Sequence, residues 1–193
     1  AGNVGVNPDT GLPGYAGILS PGNAPSAITV GAVKTQDTTA RIDDVMADYS
    51  SRGPTWYDGY AKPDLVAPGH RLLSAASTEQ ALYTTYPTLQ GPAFGGRPYL
   101  MLSGTSMAAG VVSGSVALMI EATRTSFGVT PSPNVVKAML MQTALPMSDA
   151  NGNPYDVLTQ GAGALNTAGA LTLAAKKGIR GLNSWVALSA TGF

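Results

Sequence analysis

The chain has 193 residues, of which 44% are hydrophobic and only 11% charged, and its formal net charge is zero. This length suits one domain with a sizeable core, and the composition excludes disorder of the whole chain. The balanced charge argues against nucleic acid and against a membrane surface as partners, and the absence of cysteine excludes a disulfide framework, a thiol nucleophile and Cys-ligated zinc.

The first half of the chain is predicted to hold short strands separated by long loops. Residues 4–26 are rich in Gly, Pro, Asn and Ser and predict a loop, 34–63 are polar and turn-rich, and 77–98 are predicted to be an exposed excursion. Short apolar runs between these stretches predict three strands: Ala27–Val33, Leu65–Ala67 and Arg71–Ala75.

The second half is predicted to be mainly helical. A fourth strand, Tyr99–Leu102, precedes an uncharged run, Met107–Ile120, that predicts a helix buried on all sides. Two further helices are expected over Val135–Gln142 and over Asn166–Lys177, the latter ending at Gly178. Alternation of strands and helices predicts an α/β domain with a largely parallel sheet. No internal linker is visible, and no apolar run is expected to span a bilayer.

The turn between the fourth strand and the uncharged helix favours a nucleophilic serine. Ser103 and Gly104 form the turn, and the helix is expected to begin at or near Ser106. Unpaired N–H groups and the positive end of the helix dipole would stabilise negative charge on a substrate oxygen there. Taken alone, the pattern is more often that of a serine that caps a helix. Ala108 stands where a G-x-S-x-G elbow needs its last glycine, which disfavours an α/β-hydrolase esterase.

Five ordered blocks resemble the subtilisin-like (subtilase) serine proteases. They are Asn23–Val33 (NAPSAITVGAV), Tyr49–Pro54 (YSSRGP), Lys62–Gly69 (KPDLVAPG), Gly104–Ala108 (GTSMA) and Gly161–Asn166 (GAGALN). The resemblance implies a three-layer subtilisin-like α/β fold with a mainly parallel sheet, represented only by its C-terminal half. Residues 1–193 would then be the C-terminal part of one peptidase domain.

The resemblance also assigns roles to individual residues. Ser106 matches the nucleophile, and Asn3 matches the asparagine whose side chain donates a hydrogen bond to the oxyanion together with the Ser106 N–H. Without the other blocks, Asn3 would be read as a loop residue near a frayed terminus. The residues expected to bind substrate are Gly2, Leu19, Ser20, Gly104 and Thr105.

The resemblance places the catalytic Asp and His of the family before Asn3, which only two residues precede here. Asp9 follows Pro8 in a predicted turn, and His70 is interpreted as an ordinary surface or loop histidine. We therefore expect a processed or partial chain that is inactive alone. Its expected partners are a polypeptide substrate and the N-terminal half of the same domain, and the resemblance implies secretion or export.

Two features leave alternatives open. Gly110 stands where the family usually has proline, which admits a non-catalytic subtilase-like binding or structural module. No cofactor is expected. Structural calcium is common in the family, but no ligand is assigned here: Asp149, Asn151 and Asn153 have calcium-loop spacing but lack the glycine and glutamate of such a loop, which favours an Asx-rich turn. Asp43, Asp44 and Asp48 are interpreted as a solvated face.

Overall fold

The computed structural model describes residues 1–176. In this part of the chain the strands are β1 (Val30–Lys34), β2 (Val45–Met46), β3 (Leu65–Pro68), β4 (Leu72–Ala75) and β5 (Tyr99–Leu102). The helices are α1 (Ala81–Thr85), α2 (Thr105–Phe127), α3 (Pro133–Thr143), α4 (Val157–Gln160) and α5 (Thr167–Ala174), with a short 3-10 helix over Pro87–Leu89.

The strands form one three-stranded sheet and one separate hairpin. The sheet has the order β2-β1-β3, with β1 parallel to β3 and Val30 opposite Leu65. Strand β2 pairs antiparallel with β1, and β4 pairs antiparallel with β5. The expected α/β fold is confirmed. The expected parallel pairing is found between β1 and β3, while the other two strand pairs described are antiparallel.

Helix α5 packs against both α2 and α3, and α2 also lies against β1 and β3. Their shared core includes the fully buried side chains of Ala32, Leu65, Met119 and Leu140. This packing places the first turn of α2 at the end of the sheet where β3 leads into Gly69, whose carbonyl oxygen accepts a hydrogen bond from Gly104 N–H at 2.8 Å.

Helix α2 departs from the sequence prediction, which expected burial on all sides. Its buried residues recur every three or four positions along one face only: Thr105, Ala108, Val112, Ser115, Met119 and Thr123. Leu118 on another face is 54% exposed. By length and composition alone α2 could cross a membrane, contrary to our expectation. Its buried face belongs to the core of the domain.

The remaining element predictions hold with shifted ends. Helix α3 begins after Ser132, whose hydroxyl accepts a hydrogen bond from Val135 N–H, and α5 begins after Asn166, which caps Gly169 N–H. The predicted stop of α5 at Gly178 lies outside the described residues. The excursion 77–98 is exposed as expected, and its helix α1 contains no buried residue. Strand β2 was not predicted.

Candidate active site

The turn before α2 is held by the loop that follows β3. The Gly69 carbonyl oxygen accepts hydrogen bonds from Gly104 N–H and from the Tyr49 hydroxyl, at 2.8 and 2.9 Å. Burial raises the pKa of the Tyr49 phenol, which therefore stays neutral and able to donate. Gly104 has φ 154°, a conformation that side chains disfavour. The backbone entering α2 is thus tied through Gly104 N–H to a carbonyl oxygen that Tyr49 also holds. Tyr49 was not recognised as part of this arrangement from the sequence.

Ser106 lies in the first turn of α2 and is exposed. The residue that caps the helix is Gly104, not Ser106, so the capping explanation for this serine is wrong. As the second residue of the helix, Ser106 has a backbone N–H without an intrahelical acceptor. Its hydroxyl therefore sits in solvent beside a free amide donor at the positive end of the helix dipole.

Asn3 lies against the same helix end. Its side-chain oxygen Oδ1 accepts a hydrogen bond from Thr105 N–H at 2.9 Å, and the Thr105 hydroxyl accepts one from Gly2 N–H at 3.1 Å. A Cβ atom built on Gly104 would lie 3.4 Å from Asn3 Nδ2. Because the carboxamide oxygen accepts from Thr105 N–H, its NH₂ group is left as a donor on the side of Gly104.

Two concave surfaces meet at Ser106. The first is a cavity of about 520 Å³, whose lining includes Gly2, Asn3, Leu19, Ser20, Thr105 and Ser106. Gly104 is buried beneath the turn and does not line it. The second is an apolar groove of about 570 Å³ between the β4–β5 hairpin and α2, lined chiefly by Leu72, Leu82, Leu100, Leu102, Met107 and Val111. Ser106 also lines this groove and is the one residue common to the two.

Leu19 lies close to the backbone of Gly2 in the first cavity. A Cβ on Gly2 would lie 2.8 Å from Leu19 Cγ and equally close to Ser51 Oγ, and Gly2 has φ 120°. Only glycine fits this position, because both the space and the backbone conformation exclude a side chain. A backbone hydrogen bond also holds Gly2 in place, since Ser51 N–H donates to the Gly2 carbonyl oxygen at 2.9 Å.

The acidic and basic side chains considered from the sequence lie elsewhere. His70 is half-buried with its ring 6.1 Å from that of Tyr49, and it lines neither the cavity nor the groove. Asp9 is exposed in a turn in which its N–H donates to Asn7 Oδ1 at 2.8 Å. Within residues 1–176, no Asp, Glu, His, Lys or Arg side chain lines either of the two surfaces at Ser106.

The acidic groups with metal-like spacing are engaged in local hydrogen bonds. Asp149 accepts from the N–H groups of Asn151 and Asn153, both at 2.9 Å, which is the geometry of an Asx-rich turn. Asp43 accepts from Thr38, and Asp48 pairs with Lys34. In the described part of the chain, no group of three or more His, Cys, Asp or Glu residues is arranged to hold a metal ion.

Sequence reasoning missed a cluster of charges behind the first cavity. Lys62, Asp64 and Lys137 meet beneath the cavity wall formed by Ala27–Thr29. The available signal was the occurrence of Lys62 and Asp64 in a run of otherwise buried residues of a charge-poor chain. Lys137 could not be assigned to it from the sequence, because it lies far away in the chain.

Comparison with known proteins identifies similar sequences and folds. The Subtilase family profile matches residues 1–170. Serine protease AprX of Bacillus subtilis is 36% identical over 166 residues, which cover 86% of this chain and 33% of AprX. The minor extracellular protease Vpr of the same organism is 32% identical over 141 residues, 72% of this chain and 15% of Vpr. The solved patellamide maturation protease PatA superposes with a TM-score of 0.57 at 28% identity, covering 85% of this chain and 48% of PatA. The chain thus spans half or less of the length of these relatives.

Proposed function

This chain belongs to the subtilase family of serine proteases, and on that premise we propose that it is the nucleophile-bearing part of an endopeptidase that cleaves peptide bonds through an acyl-enzyme on Ser106. The observation that carries the proposal is the position of Ser106. It is exposed at the start of α2, next to Asn3, and lines both concave surfaces.

The proposed reaction uses groups around the first turn of α2. Ser106 Oγ attacks the scissile carbonyl carbon and gives up its proton to a general base, and the carbonyl oxygen becomes an oxyanion. Asn3 Nδ2–H and Ser106 N–H donate hydrogen bonds to this oxyanion, helped by the helix dipole. Collapse expels the amine, which takes the proton from the base, and water then hydrolyses the ester on Ser106. Polypeptide is the expected substrate, with Gly2, Leu19, Ser20 and Thr105 lining the cavity for it.

We propose that the base and its orienting carboxylate come from a segment outside this chain, namely the N-terminal half of the same peptidase domain. This chain spans 33% of AprX and 48% of PatA, so related proteins contain much more polypeptide. The apolar groove at Ser106 and the exposed face of α2 with Leu118 are surfaces that a further segment would cover. A segment docked in this groove would lie next to the Ser106 hydroxyl. We also propose that the whole protein is exported, because its relative Vpr is an extracellular protease.

Labelling with a fluorophosphonate tests the proposal, because this reagent forms a covalent bond with activated serines. In the full-length protein we expect labelling that is lost in Ser106→Ala. Ser103→Ala is the matched control, since Ser103 is also exposed and lies in the same turn, with its hydroxyl accepting from Arg71 N–H at 2.9 Å. Labelling that survives Ser106→Ala would refute the assignment. A folded full-length protein that does not label would favour the non-catalytic binding module.

A further inference from the structure

Three charged side chains, two buried and one half-buried, meet in a chain that has few charges. Asp64 Oδ2 lies 2.8 Å from Lys62 Nζ, and Asp64 Oδ1 lies 2.8 Å from Lys137 Nζ. Their exposed fractions are 6% for Asp64, 3% for Lys62 and 17% for Lys137. Two ammonium groups therefore share one carboxylate, and the Lys62–Asp64–Lys137 cluster carries excess positive charge. Such burial is costly unless further acceptors compensate it.

The additional acceptors are backbone carbonyl groups of a single segment, residues 25–29. The Ala27 carbonyl oxygen accepts from both Lys62 Nζ and Lys137 Nζ at 2.9 Å, and that of Pro25 accepts from Lys137 Nζ at 3.2 Å. Asp64 Oδ2 in turn accepts from Thr29 N–H at 2.7 Å. All three side chains of the cluster thus hold the same short stretch of backbone.

This stretch has no helix or strand of its own before β1 begins at Val30. It forms part of the wall of the cavity that contains Ser106 and Asn3, to which Ala27, Ile28 and Thr29 contribute. The Thr29 hydroxyl donates to the Gly22 carbonyl oxygen at 2.5 Å, and Gly22 lines the same cavity. The backbone hydrogen bonds of this stretch are few: Ala27 N–H donates to the Ala24 carbonyl oxygen at 3.1 Å, and Asp64 N–H donates to that of Thr29 at 2.8 Å. The cluster therefore supplies much of the hydrogen bonding that fixes this part of the wall.

We propose that Lys62, Asp64 and Lys137 are positioning residues that set the wall of the substrate cavity and thereby substrate affinity. The inference rests on the proposed function, since it takes this cavity as the place where the polypeptide binds. None of the three takes part in the reaction at Ser106, and they act instead through the backbone of Ala27–Thr29. Their effect should therefore appear in substrate binding and not in the reactivity of the serine.

Lys137→Met in the full-length protein is the most informative variant. It leaves Lys62 and Asp64 as a balanced pair, whereas Asp64→Asn would leave the buried Lys62 ammonium and its neighbour on Lys137 without a carboxylate and threaten folding. Lys34→Met is the matched control, because Lys34 also pairs with an aspartate, Asp48, on the surface and away from the cavity. We expect Lys137→Met to raise KM for a peptide substrate about tenfold, as a misplaced binding wall would, with kcat little changed. Lys34→Met should match wild type.

Two further readouts separate this inference from the proposed function. Fluorophosphonate labelling of Ser106 should proceed at the wild-type rate in Lys137→Met. Hydrogen exchange of the amides in residues 22–30 should be faster in Lys137→Met than in Lys34→Met, whether or not the protein hydrolyses peptides. Equal KM values for the two variants, or equal exchange in this segment, would overturn the positioning role. Failure of wild type to label would instead count against the proposed function alone, and hydrogen exchange would still decide the role of the cluster.

Discussion

Replacing Asn3 by aspartate separates the two roles proposed for its side chain. In the structure the Asn3 oxygen accepts from Thr105 N–H at 2.9 Å, and the proposed catalytic role uses the other atom, Nδ2, as a donor. Aspartate keeps an acceptor for Thr105 N–H and adds negative charge at the positive end of α2. It has no N–H to donate and would repel an oxyanion. Asn3→Ala removes both the acceptor and the donor.

The expected magnitudes differ for stability and for catalysis. Loss of one oxyanion donor lowers kcat by about 10²–10³, the magnitude known for the corresponding amide in a subtilisin, and we expect both variants to show at least this loss. Asn3→Ala should also lower the free energy of unfolding by about 1 kcal/mol, because Thr105 N–H in the first turn of α2 loses its side-chain acceptor. Asn3→Asp should keep that free energy or raise it by about 0.5 kcal/mol, through the helix dipole.

The assay is kcat for a chromogenic peptide in the full-length protein, together with denaturant unfolding of the same preparations. The control is Asn7→Asp, which changes an exposed loop asparagine in the same segment and should leave both quantities unchanged. If Asn3→Asp kept kcat within a factor of three of wild type, the donor role of Asn3 would be refuted. If both variants at position 3 unfolded alike, the capping contact would not contribute to stability.

Two further predictions concern stability and assembly. Asp156→Ala should lower the free energy of unfolding by about 1–2 kcal/mol, because Asp156 caps α4 and accepts from the Tyr15 hydroxyl, and Tyr15→Phe should cost about 0.5 kcal/mol in the same denaturant titration. Burial alone would raise the pKa of Asp156, but hydrogen bonds from Tyr15 and from the first turn of α4 outweigh it and lower the pKa below 3.8. The contribution of Asp156 to the free energy of unfolding should therefore be complete above its pKa in the unfolded chain. It should disappear as pH falls through the lower pKa of the folded protein, and unfolding of Asp156→Ala should lack this acid dependence. If a further segment covers α2, Leu118→Glu should abolish peptide hydrolysis by the full-length protein, because it would bury a charge. Val129→Glu is the control, since Val129 is about equally exposed but lies beyond the end of the helix, and it should retain activity. Equal activity in the two variants would exclude a covering segment at Leu118.

The location of the serine could be predicted from the sequence because its signal is local. A strand, two small residues and an uncharged run fit a turn into a helix, and the structure has Ser106 in the first turn of α2. The contact of Asn3 with Thr105 joins residues 102 positions apart, so no local pattern predicts it. Family resemblance led us to expect Asn3 beside Ser106 but not this contact. The two-residue strand β2 was missed because it exists only through pairing with β1.

The wrong burial prediction for α2 has a specific physical cause. Three polar residues, Thr105, Ser115 and Thr123, occupy its buried face, and the hydroxyls of Ser115 and Thr123 donate to the carbonyl oxygens of Val111 and Met119, one turn earlier. This local bonding, together with the Thr167 hydroxyl at 2.8 Å from that of Ser115, satisfies polar groups on the buried face. Meanwhile Leu118 is exposed. Because polar residues are inside and apolar ones outside, hydrophobic periodicity could not identify the buried face.

Irregular backbone around the cavity is held by polar side chains that come from distant parts of the sequence. The Asn3 segment is bonded to Thr105 and Ser51, and the wall at Ala27–Thr29 is bonded to Asp64 and the two lysines. Loops of this kind lack the redundant hydrogen bonds of a sheet, so each side-chain bond removes a large share of their freedom. It follows that a change on α3, such as Lys137→Met, should reach the substrate cavity while leaving α2 and the Ser106 hydroxyl in place.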